Sequence, residues 1–348
     1  MHRFTKALLV AVVAALLAGA LVLSGCTSSK EEADTGNTTE QKSEPIAVKI
    51  GTLPTEDSLP LWVAESEGFF EDAGLPSVEI ILFQSAQERD AALASGAIDA
   101  FMGDIIAAAN LEAGGTPVTI ATIMLGATQD QGRFGIVAPK DWSHGTGAEA
   151  LTYLAGVPVG TSSATIQEYV LDGLMRQAGV PADQVKKEEV KKVPVRFELL
   201  MQGKLEAAAL PEPFLSLAEL QGAKLLADDT DVAPAGFGKE NLSQTVLLFS
   251  DEYLAKPGGL ESEQAVLQAW NEAVVLINKD PNAYREMLVE KAGLPEPLKD
   301  TYEVNTYPSA QAPTQEQVDS VLAWMKGKGY LKPEADVNYI NLTIVLPE

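Results

Sequence analysis

The stretches "ALASGAIDAFMGD" (residues 92–104) and "LLMQGKLEAAALPE" (residues 199–212) follow the same pattern. Each one reads as the end of a helix, a glycine, an apolar residue, an acid, an alanine and then a strand. Leu93 in the first stretch matches Leu200 in the second. Because the same order of elements occurs twice, the sequence predicts two structural units that are built alike.

Each stretch ends on a carboxylate at the carboxyl end of its predicted strand. This residue is Asp104 in the first stretch and Glu212 in the second. Open parallel sheets bind ligands beyond the carboxyl ends of their strands. Both carboxylates are therefore candidates for contact with a ligand.

Strand and helix signals alternate through most of the chain, which is typical of an α/β fold. The first unit reads as βαβαβαβ with a mostly parallel sheet, and the rhythm restarts after "RFGIVAP" (residues 133–139). One strand predicted in the second unit is "VKKVPV" (residues 190–195). After the strand in "QTVLLFS" (residues 244–250), the pattern is mainly helical.

A second unit inserted into the first requires two chain crossings. "RFGIVAP" and "QTVLLFS" lie where such crossings are expected, and they suggest a hinge of paired strands. About 300 residues follow the N-terminal region, which is more than one core usually holds. We therefore expect a first lobe from residues 46–133 and 246–348 and a second lobe from residues 134–245.

The N-terminus has the order of a secretory signal: a basic start, an apolar run from Ala7 to Leu23, and small residues before Cys26. A transmembrane helix is the alternative, but the run is shorter than the roughly 20 residues that a span needs. Residues 1–25 are therefore predicted to be a signal peptide. Residues 26–45 are polar and without helical or strand period, so they read as a flexible tether.

Composition excludes some partners. The 348 residues carry 25 Lys and Arg against 49 Asp and Glu, a net charge of −24. Such a surface repels nucleic acid, so no nucleic-acid partner is expected. The hydrophobic fraction of 46% is ample for a folded core and argues against an acidic disordered chain.

The sequence offers few groups for catalysis or for metal binding. Beyond the predicted signal peptide it has one histidine, His144, and one cysteine, Cys26. No metal site of ordinary spacing and no phosphate-binding glycine loop can be drawn from it. We therefore predict a non-enzymatic protein without a cofactor or a metal.

Helix starts rich in hydroxyls and acids stand out instead. Ser85 and Thr165 each begin a capping-box pattern, and Asp57 or Ser58 can cap the helix that begins near Pro60. Capping and ligand binding are compatible, because both use the N–H groups of an exposed helix end.

These stretches together resemble a known family. "GTLPTEDSLPLWVAESEGFFEDAGL", "GVPVGTSSATIQEYVLDGLMRQAG", "FELLMQGKLEAAALPEPFLSLAELQGA" and "NLSQTVLLFS" resemble, in order, the solute-binding proteins of ABC transporters in the nitrate, sulfonate, taurine and thiamine-pyrimidine-precursor group. The resemblance implies the type II periplasmic-binding-protein fold, with two α/β lobes, a two-stranded hinge and a ligand cleft between the lobes. "LSGC" resembles a lipobox, which implies that Cys26 carries a lipid anchor.

The resemblance also implies which residues contact the ligand, and they follow strand ends in both lobes. The implied contacts of the first lobe are Asp57, Ser58, Leu59, Gln84, Ser85, Asp104, Gly126 and Thr128. Those of the second lobe and the return crossing are Thr161, Ser162, Ser163, Thr165, Glu212, Ser243 and Gln244.

The charges among these residues bear on the ligand class. Asp57, Asp104 and Glu212 are acidic, and only Arg133 lies nearby in sequence as a cation. Buried carboxylates that face an anion are costly, which favours a ligand with N–H donors such as an aminopyrimidine, another nitrogen heterocycle or an amine. Helix N-termini favour anions, so a sulfonate or nitrate ligand stays open as the alternative.

The resulting hypothesis is a monomeric, lipid-anchored, extracytoplasmic receptor that closes its lobes on a small solute and delivers it to an ABC permease and its ATPase. One alternative is an extracytoplasmic enzyme on the same fold. Another is a ligand-sensing or adhesive lipoprotein without a transporter.

Overall fold

The computed structural model describes residues 43–131, 133–230, 242 and 244–332. The predicted signal peptide, Cys26, nearly all of the predicted tether and Ser243 lie outside the described residues.

Strands and helices alternate along the described chain. The strands are β1 Val48–Thr52, β2 Val78–Leu82, β3 Ala100–Asp104, β4 Val118–Leu125, β5 Phe134–Ala138, β6 Pro158–Thr161, β7 Lys186–Glu189, β8 Ala208–Pro211, β9 Lys224–Asp228 and β10 Thr245–Ser250. The α-helices are α1 Leu59–Glu67, α2 Phe69–Asp72, α3 Ala86–Ala94, α4 Ile105–Ala113, α5 Gly147–Tyr153, α6 Ile166–Gln177, α7 Val193–Met201, α8 Phe214–Leu220, α9 Asp251–Leu254, α10 Gly259–Lys279, α11 Arg285–Lys291, α12 Leu298–Thr301 and α13 Gln315–Lys328. Short 3₁₀ turns cover Glu56–Ser58, Ala182–Gln184 and Pro281–Tyr284.

The strands form two five-stranded sheets of the same design. The first has the order β2-β1-β3-β10-β4 and the second the order β7-β6-β8-β5-β9. In each sheet the fourth strand is antiparallel to both of its neighbours, and the other described ladders are parallel. The α/β class and the two units built alike are thus confirmed.

The antiparallel strands β5 and β10 mark the two chain crossings. The chain leaves the first sheet after β4 and enters the second at β5, and it returns to the first sheet at β10. The ladders of β5 and β10 belong to different sheets, so these strands do not pair with each other. The suggested hinge of paired strands is wrong in this respect.

The repeat extends to individual side chains. A methyl group added at Gly51 in β1 would lie 2.7 Å from Cδ1 of Ile98, and one added at Gly160 in β6 would lie 2.7 Å from Cδ1 of Leu205. Ile98 and Leu205 hold matching places in the repeated stretches. Glycine is needed at both strand positions because the turn that precedes the neighbouring strand, β3 or β8, packs directly on the glycine.

Two local predictions need correction, and one helix was missed. "VKKVPV" is not a strand, because α7 begins at Val193 and the strand before it is Lys186–Glu189. Pro194 explains this, since it lacks the N–H that a ladder needs and suits the first turn of a helix. The helix predicted to begin near Pro60 is short, because Gly68, with a φ of 81°, ends α1. Helix α5 was not predicted.

Helix α13 connects the two lobes at one side. It packs against α4 of the first sheet. Its Trp324 Nε1 donates to Asp172 of α6 at 3.0 Å, and Tyr330, just after the helix, donates from its hydroxyl to Glu168 at 2.7 Å. Among the described residues, no helix is both long and apolar enough to cross a bilayer.

The central strand β10 gives a test of the fold. Leu247 is fully buried there, between β3 and β4. Replacing it with alanine should lower the free energy of unfolding by about 2–5 kcal/mol, because the cavity left behind can collapse only in part. The change is measured by urea denaturation of the purified protein.

The matched control is Leu220→Ala at the end of α8, where the side chain is 48% exposed. That change should stay within about 0.5 kcal/mol. Equal losses for the two variants would contradict the placement of β10.

Candidate functional site

The acidic turn, residues 55–58, follows β1 at its carboxyl end. Its Glu56, Asp57 and Ser58 are all buried. Thr55 donates from its hydroxyl to Asp57 at 2.7 Å, and the Ser58 hydroxyl donates to the Leu53 carbonyl at 2.9 Å. Neither Asp57 nor Ser58 caps α1 through its side chain, so the expected cap is wrong. The hydroxyls of Thr55 and Ser58 instead form hydrogen bonds within the turn and to the residue shortly before it.

Glu56 is held from a distant part of the chain. Asn305 donates to its carboxylate from the backbone at 2.8 Å and from the side-chain amide at 2.9 Å. Burial, with the charge of Glu212 added, raises the pKa of Glu56 to about 7. The Glu56 N–H donates to the Glu212 carbonyl at 3.3 Å, which joins the two lobes directly. Burial likewise raises the pKa of Asp57 to about 6.

Glu212 follows β8 and is paired with Arg133. The guanidinium of Arg133 donates to Glu212 at 2.8 Å, to Asp228 at 2.8 Å and to Glu219 at 3.1 Å. Ser216 donates to Glu212 from both its N–H and its hydroxyl, each at 3.0 Å. Burial still raises the pKa of Glu212, although Arg133 opposes the shift.

Asp104 ends β3 and lies between helices of both lobes. One of its oxygens accepts from the N–H of Ala107 in α4 at 2.7 Å, and the other accepts from the N–H of Ile166 in α6 at 3.2 Å. It is 4% exposed, and burial raises its pKa against the opposing charge of Arg89.

Arg89 is a buried cation near these carboxylates that was not predicted from the sequence. It donates to Asp90 at 2.7 and 3.0 Å and lies 4.3 Å over the ring of Phe101. Its charge lowers the pKa of Asp57 and of Asp104, although burial outweighs it in both. A sequence signal existed, because Arg89 precedes Leu93 by four residues as Arg196 precedes Leu200 in the repeat.

Four predicted residues of the second lobe lie at or beside the turn between β6 and α6. They are Thr161, Ser162, Ser163 and Thr165. Thr161 is fully buried, and its hydroxyl has no hydrogen-bond partner among the described residues. Ser162 accepts from the Gln87 amide of the first lobe at 3.0 Å. Ser163 donates to Glu189, and Thr165 caps α6 by accepting from the Gln167 N–H at 3.3 Å.

The remaining predicted residues are placed less favourably for contact with a ligand. Leu59 is fully buried in the apolar core beside α1. Thr128 is exposed, and Gln84 is half-buried. Ser85 caps α3 by accepting from the Glu88 N–H at 3.3 Å.

Two residues flank the chain crossings. The Gly126 carbonyl accepts from the Gln317 amide of α13 at 3.0 Å. Gln244 is buried directly before β10.

The lobes meet closely around the acidic turn. The space enclosed there by Glu56, Asp57, Arg133, Phe134 and Glu212 is only about 10 Å³, about enough for one water molecule. A solute can therefore reach these residues only after the lobes move apart.

His144 lies away from this site. It follows β5, whose antiparallel direction puts its end at the sheet edge opposite the cleft, and its ring stacks on Tyr153 with centroids 3.5 Å apart. Among the described residues, no group of three or more His, Cys, Asp or Glu side chains is arranged to hold a metal ion.

The sequence profile of the NMT1-like family matches residues 41–290. The chain belongs to the NMT1-like family. A search of curated proteins finds no match. Among solved structures, this NMT1-like chain is similar to solute-binding proteins of the two-lobed periplasmic-binding-protein fold, which confirms the fold class and the resemblance seen in the sequence.

Three of these structures show the extent of the likeness. The aliphatic sulphonate-binding protein SsuA from Escherichia coli has a TM-score of 0.67 and 20% identity, covering 87% of this chain and 94% of its own. The alkanesulfonate-binding protein SsuA from Xanthomonas axonopodis pv. citri, bound to MOPS, has a TM-score of 0.65 and 20% identity, with coverages of 83% and 93%. The nitrate-binding protein NrtA from Synechocystis PCC 6803 has a TM-score of 0.66 and 17% identity, with coverages of 85% and 84%. At these identities the likeness describes the fold.

The raised pKa of Glu56 predicts a pH-dependent contribution to stability. A carboxyl whose pKa rises from 4.5 to about 7 on folding stabilises the protein below its unfolded pKa, and this is lost as pH rises through 7. Glu56→Gln removes the titration. Between about pH 5 and pH 8, the variant should gain about 2.5 kcal/mol in unfolding free energy relative to the original protein.

Urea denaturation of both proteins at the two pH values measures this difference. The exposed residue Glu71 supplies the control variant Glu71→Gln, for which no such relative gain is expected. The raised pKa would be contradicted if the difference in unfolding free energy between Glu56→Gln and the original protein were the same at both pH values.

Proposed function

We propose that this protein is the extracytoplasmic substrate-binding component of an ABC importer, which captures a small polar solute between its lobes. The observation that carries the proposal is the convergence of polar strand-end residues from both lobes on one cleft. Hydrogen bonds cross this cleft from Glu56 to Glu212, from Ile166 to Asp104 and from Gln87 to Ser162. A solute that binds both lobes would replace such bonds and so favour the closed form.

The charges of the cleft favour a solute with N–H donors. Glu56, Asp57, Asp104 and Glu212 are buried there, whereas the nearby cations are the buried Arg89 and the half-buried Arg133. A cationic or N–H-rich solute compensates buried carboxylates, and an anion adds to their mutual repulsion. A nitrogen heterocycle or an amine, such as a thiamine pyrimidine precursor, has this chemistry.

Asp57 is the carboxylate best suited to contact such a solute. Glu56 is engaged by both donors of Asn305, and Glu212 by Arg133 and Ser216. By contrast, the partners of Asp57 are the neutral hydroxyls of Thr55 and Thr245, and Asp57 lines the small interlobe space. The Thr161 hydroxyl, which has no hydrogen-bond partner in the described part of the chain, supplies a further polar group on the opposite lobe.

A sulfonate or nitrate solute is the alternative, and two observations favour it. Several structural neighbours are described as sulfonate-binding or nitrate-binding proteins. Helix N-termini of both lobes point at the cleft, and such ends attract anions.

The remaining parts of the proposal come from the sequence. The lipobox-like "LSGC" supports lipid anchoring through Cys26 on the outer side of the cell membrane, after removal of residues 1–25. We propose a monomer with lobes formed by residues 46–133 with 246–348 and by residues 134–245. Its partners would be an ABC permease and its ATPase, without nucleic acid or a cofactor. Catalysis on the same fold is the less favoured alternative, because the cleft residues pair with one another as structural groups.

Native mass spectrometry of the protein as purified is the first test of solute capture. The spectrum is repeated after partial unfolding, dialysis and refolding. We expect a small adduct that is lost on dialysis and whose mass identifies the solute. A bare protein that also fails to bind 4-aminopyrimidine, a primary amine, methanesulfonate and nitrate in calorimetric titrations would contradict the proposal.

The ligand class is tested with Asp57→Asn. If a cationic or N–H-donor solute binds Asp57, the neutral side chain should lower its affinity at least about tenfold, because a charge-assisted hydrogen bond is lost. Affinity in the original protein should also fall as pH drops through about 6, where Asp57 takes up a proton. Isothermal titration calorimetry measures both effects.

The control is Asp72→Asn, which removes the same charge from an exposed position in α2. Equal affinities for the original protein and for Asp57→Asn would reject this role of Asp57.

A further inference from the structure

Asp104 stands in an environment that elsewhere in proteins receives free anions. Helices α4 and α6 come from different lobes and are 9 and 12 residues long. N–H groups from the first turn of each helix converge on this one side chain, through Ala107 at 2.7 Å and Ile166 at 3.2 Å. Helix N-termini carry partial positive charge and free N–H donors, so each favours a negative group.

A buried cation adds to this positive environment. The charge of Arg89 acts on Asp104 and lowers its pKa, in competition with burial and with the negative charge of Asp90. The guanidinium lies against the backbone beside Asp104, because a methyl group added at Gly103 would be 3.3 Å from its Nη2. Two helix ends and one arginine thus surround a single carboxylate that is 4% exposed.

We infer that Asp104 is a built-in anion that occupies the place between the two helix starts where an anionic solute would otherwise bind, and so determines specificity against sulfonates and nitrate. This inference deepens the proposed function, because it concerns the solute class of the same cleft. A free anion would have to displace the Asp104 carboxylate from both helix ends and then lie beside it. The N–H groups that could bind the anion are already used by the protein.

The carboxylate also joins the lobes without any anionic solute. Its bond to Ile166 is a direct contact from the first lobe to the start of α6 in the second. Thr165 caps the same helix through the Gln167 N–H, so Asp104 supplies a second and separate acceptor at this end. The positions beside the acidic turn therefore remain for the solute. The carboxylates at these positions favour a solute with N–H donors.

The test replaces Asp104 with serine or with threonine. Either side chain can still cap α4, and both are smaller and neutral, so the Ile166 N–H at the start of α6 and Arg89 become available to an anion. Methanesulfonate and nitrate are titrated calorimetrically into each variant in a chloride-free buffer. Circular dichroism melting verifies that each variant is folded.

We expect no saturable binding of either anion to the original protein, and binding at least tenfold tighter to a folded Asp104 variant. The matched control is Asp72→Ser, which makes the same charge change on the surface of α2 and should gain no affinity. A folded variant that binds no tighter than the original protein would overturn the inference. Saturable binding of methanesulfonate or nitrate to the original protein would overturn it as well, even if neither variant folds.

These results are separable from the test of solute capture. A gain of anion binding in the variants supports the role of Asp104 even if the original protein captures no aminopyrimidine or amine. Conversely, a solute adduct in native mass spectrometry leaves the inference to be decided by the anion titrations alone.

Discussion

The burial of carboxylates where the two lobes meet is the constraint on which the rest of the cleft depends. Glu56, Asp57, Asp104 and Glu212 are each no more than 5% exposed, and burial raises the pKa of every one of them. An ionised group in such surroundings needs donors or a cation nearby. Because the lobes touch at this place, the compensation must come partly from across the cleft.

Each carboxylate is compensated in a different way. Glu56 receives the two donors of Asn305, Glu212 receives a guanidinium from Arg133, and Asp104 receives helix N–H groups. The Asp104 carboxylate bonds across to the other lobe, whereas Glu56 crosses only through its backbone N–H, which donates to the Glu212 carbonyl. Opening the lobes would expose these carboxylates to water, which can then take the place of the lost donors.

The two lobes share a scaffold and differ at their strand ends. Gly51 with Arg89 in the first lobe corresponds to Gly160 with Arg196 in the second, and in each pair the arginine stem packs beside the glycine. Arg89 pairs with Asp90, whereas Arg196 donates to the Val190 carbonyl and to Gln167, and burial lowers the pKa of Arg196 to about 9. Both lobes thus keep the glycine and the arginine of the repeat. The hydrogen-bond partners of the arginine differ between the lobes.

The sequence by itself determined the α/β class, the two similar units and the strand ends that carry Asp104 and Glu212. These follow from local periodicity and from a repeat, both of which are legible along the chain. The sequence also carried the reason why "VKKVPV" fails to form a strand, since Pro194 lacks the N–H that a ladder needs and suits the first turn of α7. It could not show that Ser58 closes its own turn.

Only the tertiary structure decided how the cleft groups are satisfied. Asn305 reaches Glu56 across 249 positions of sequence, and Ile166 reaches Asp104 across 62. Arg89 becomes a cleft charge because α3 turns it beneath the glycines of β1 and β3. Periodicity predicts which face of an element is buried, but partners of buried charges are fixed by the folding of distant segments against each other. The physical reason is that desolvation makes each such charge dependent on groups that only the folded chain brings within hydrogen-bond distance.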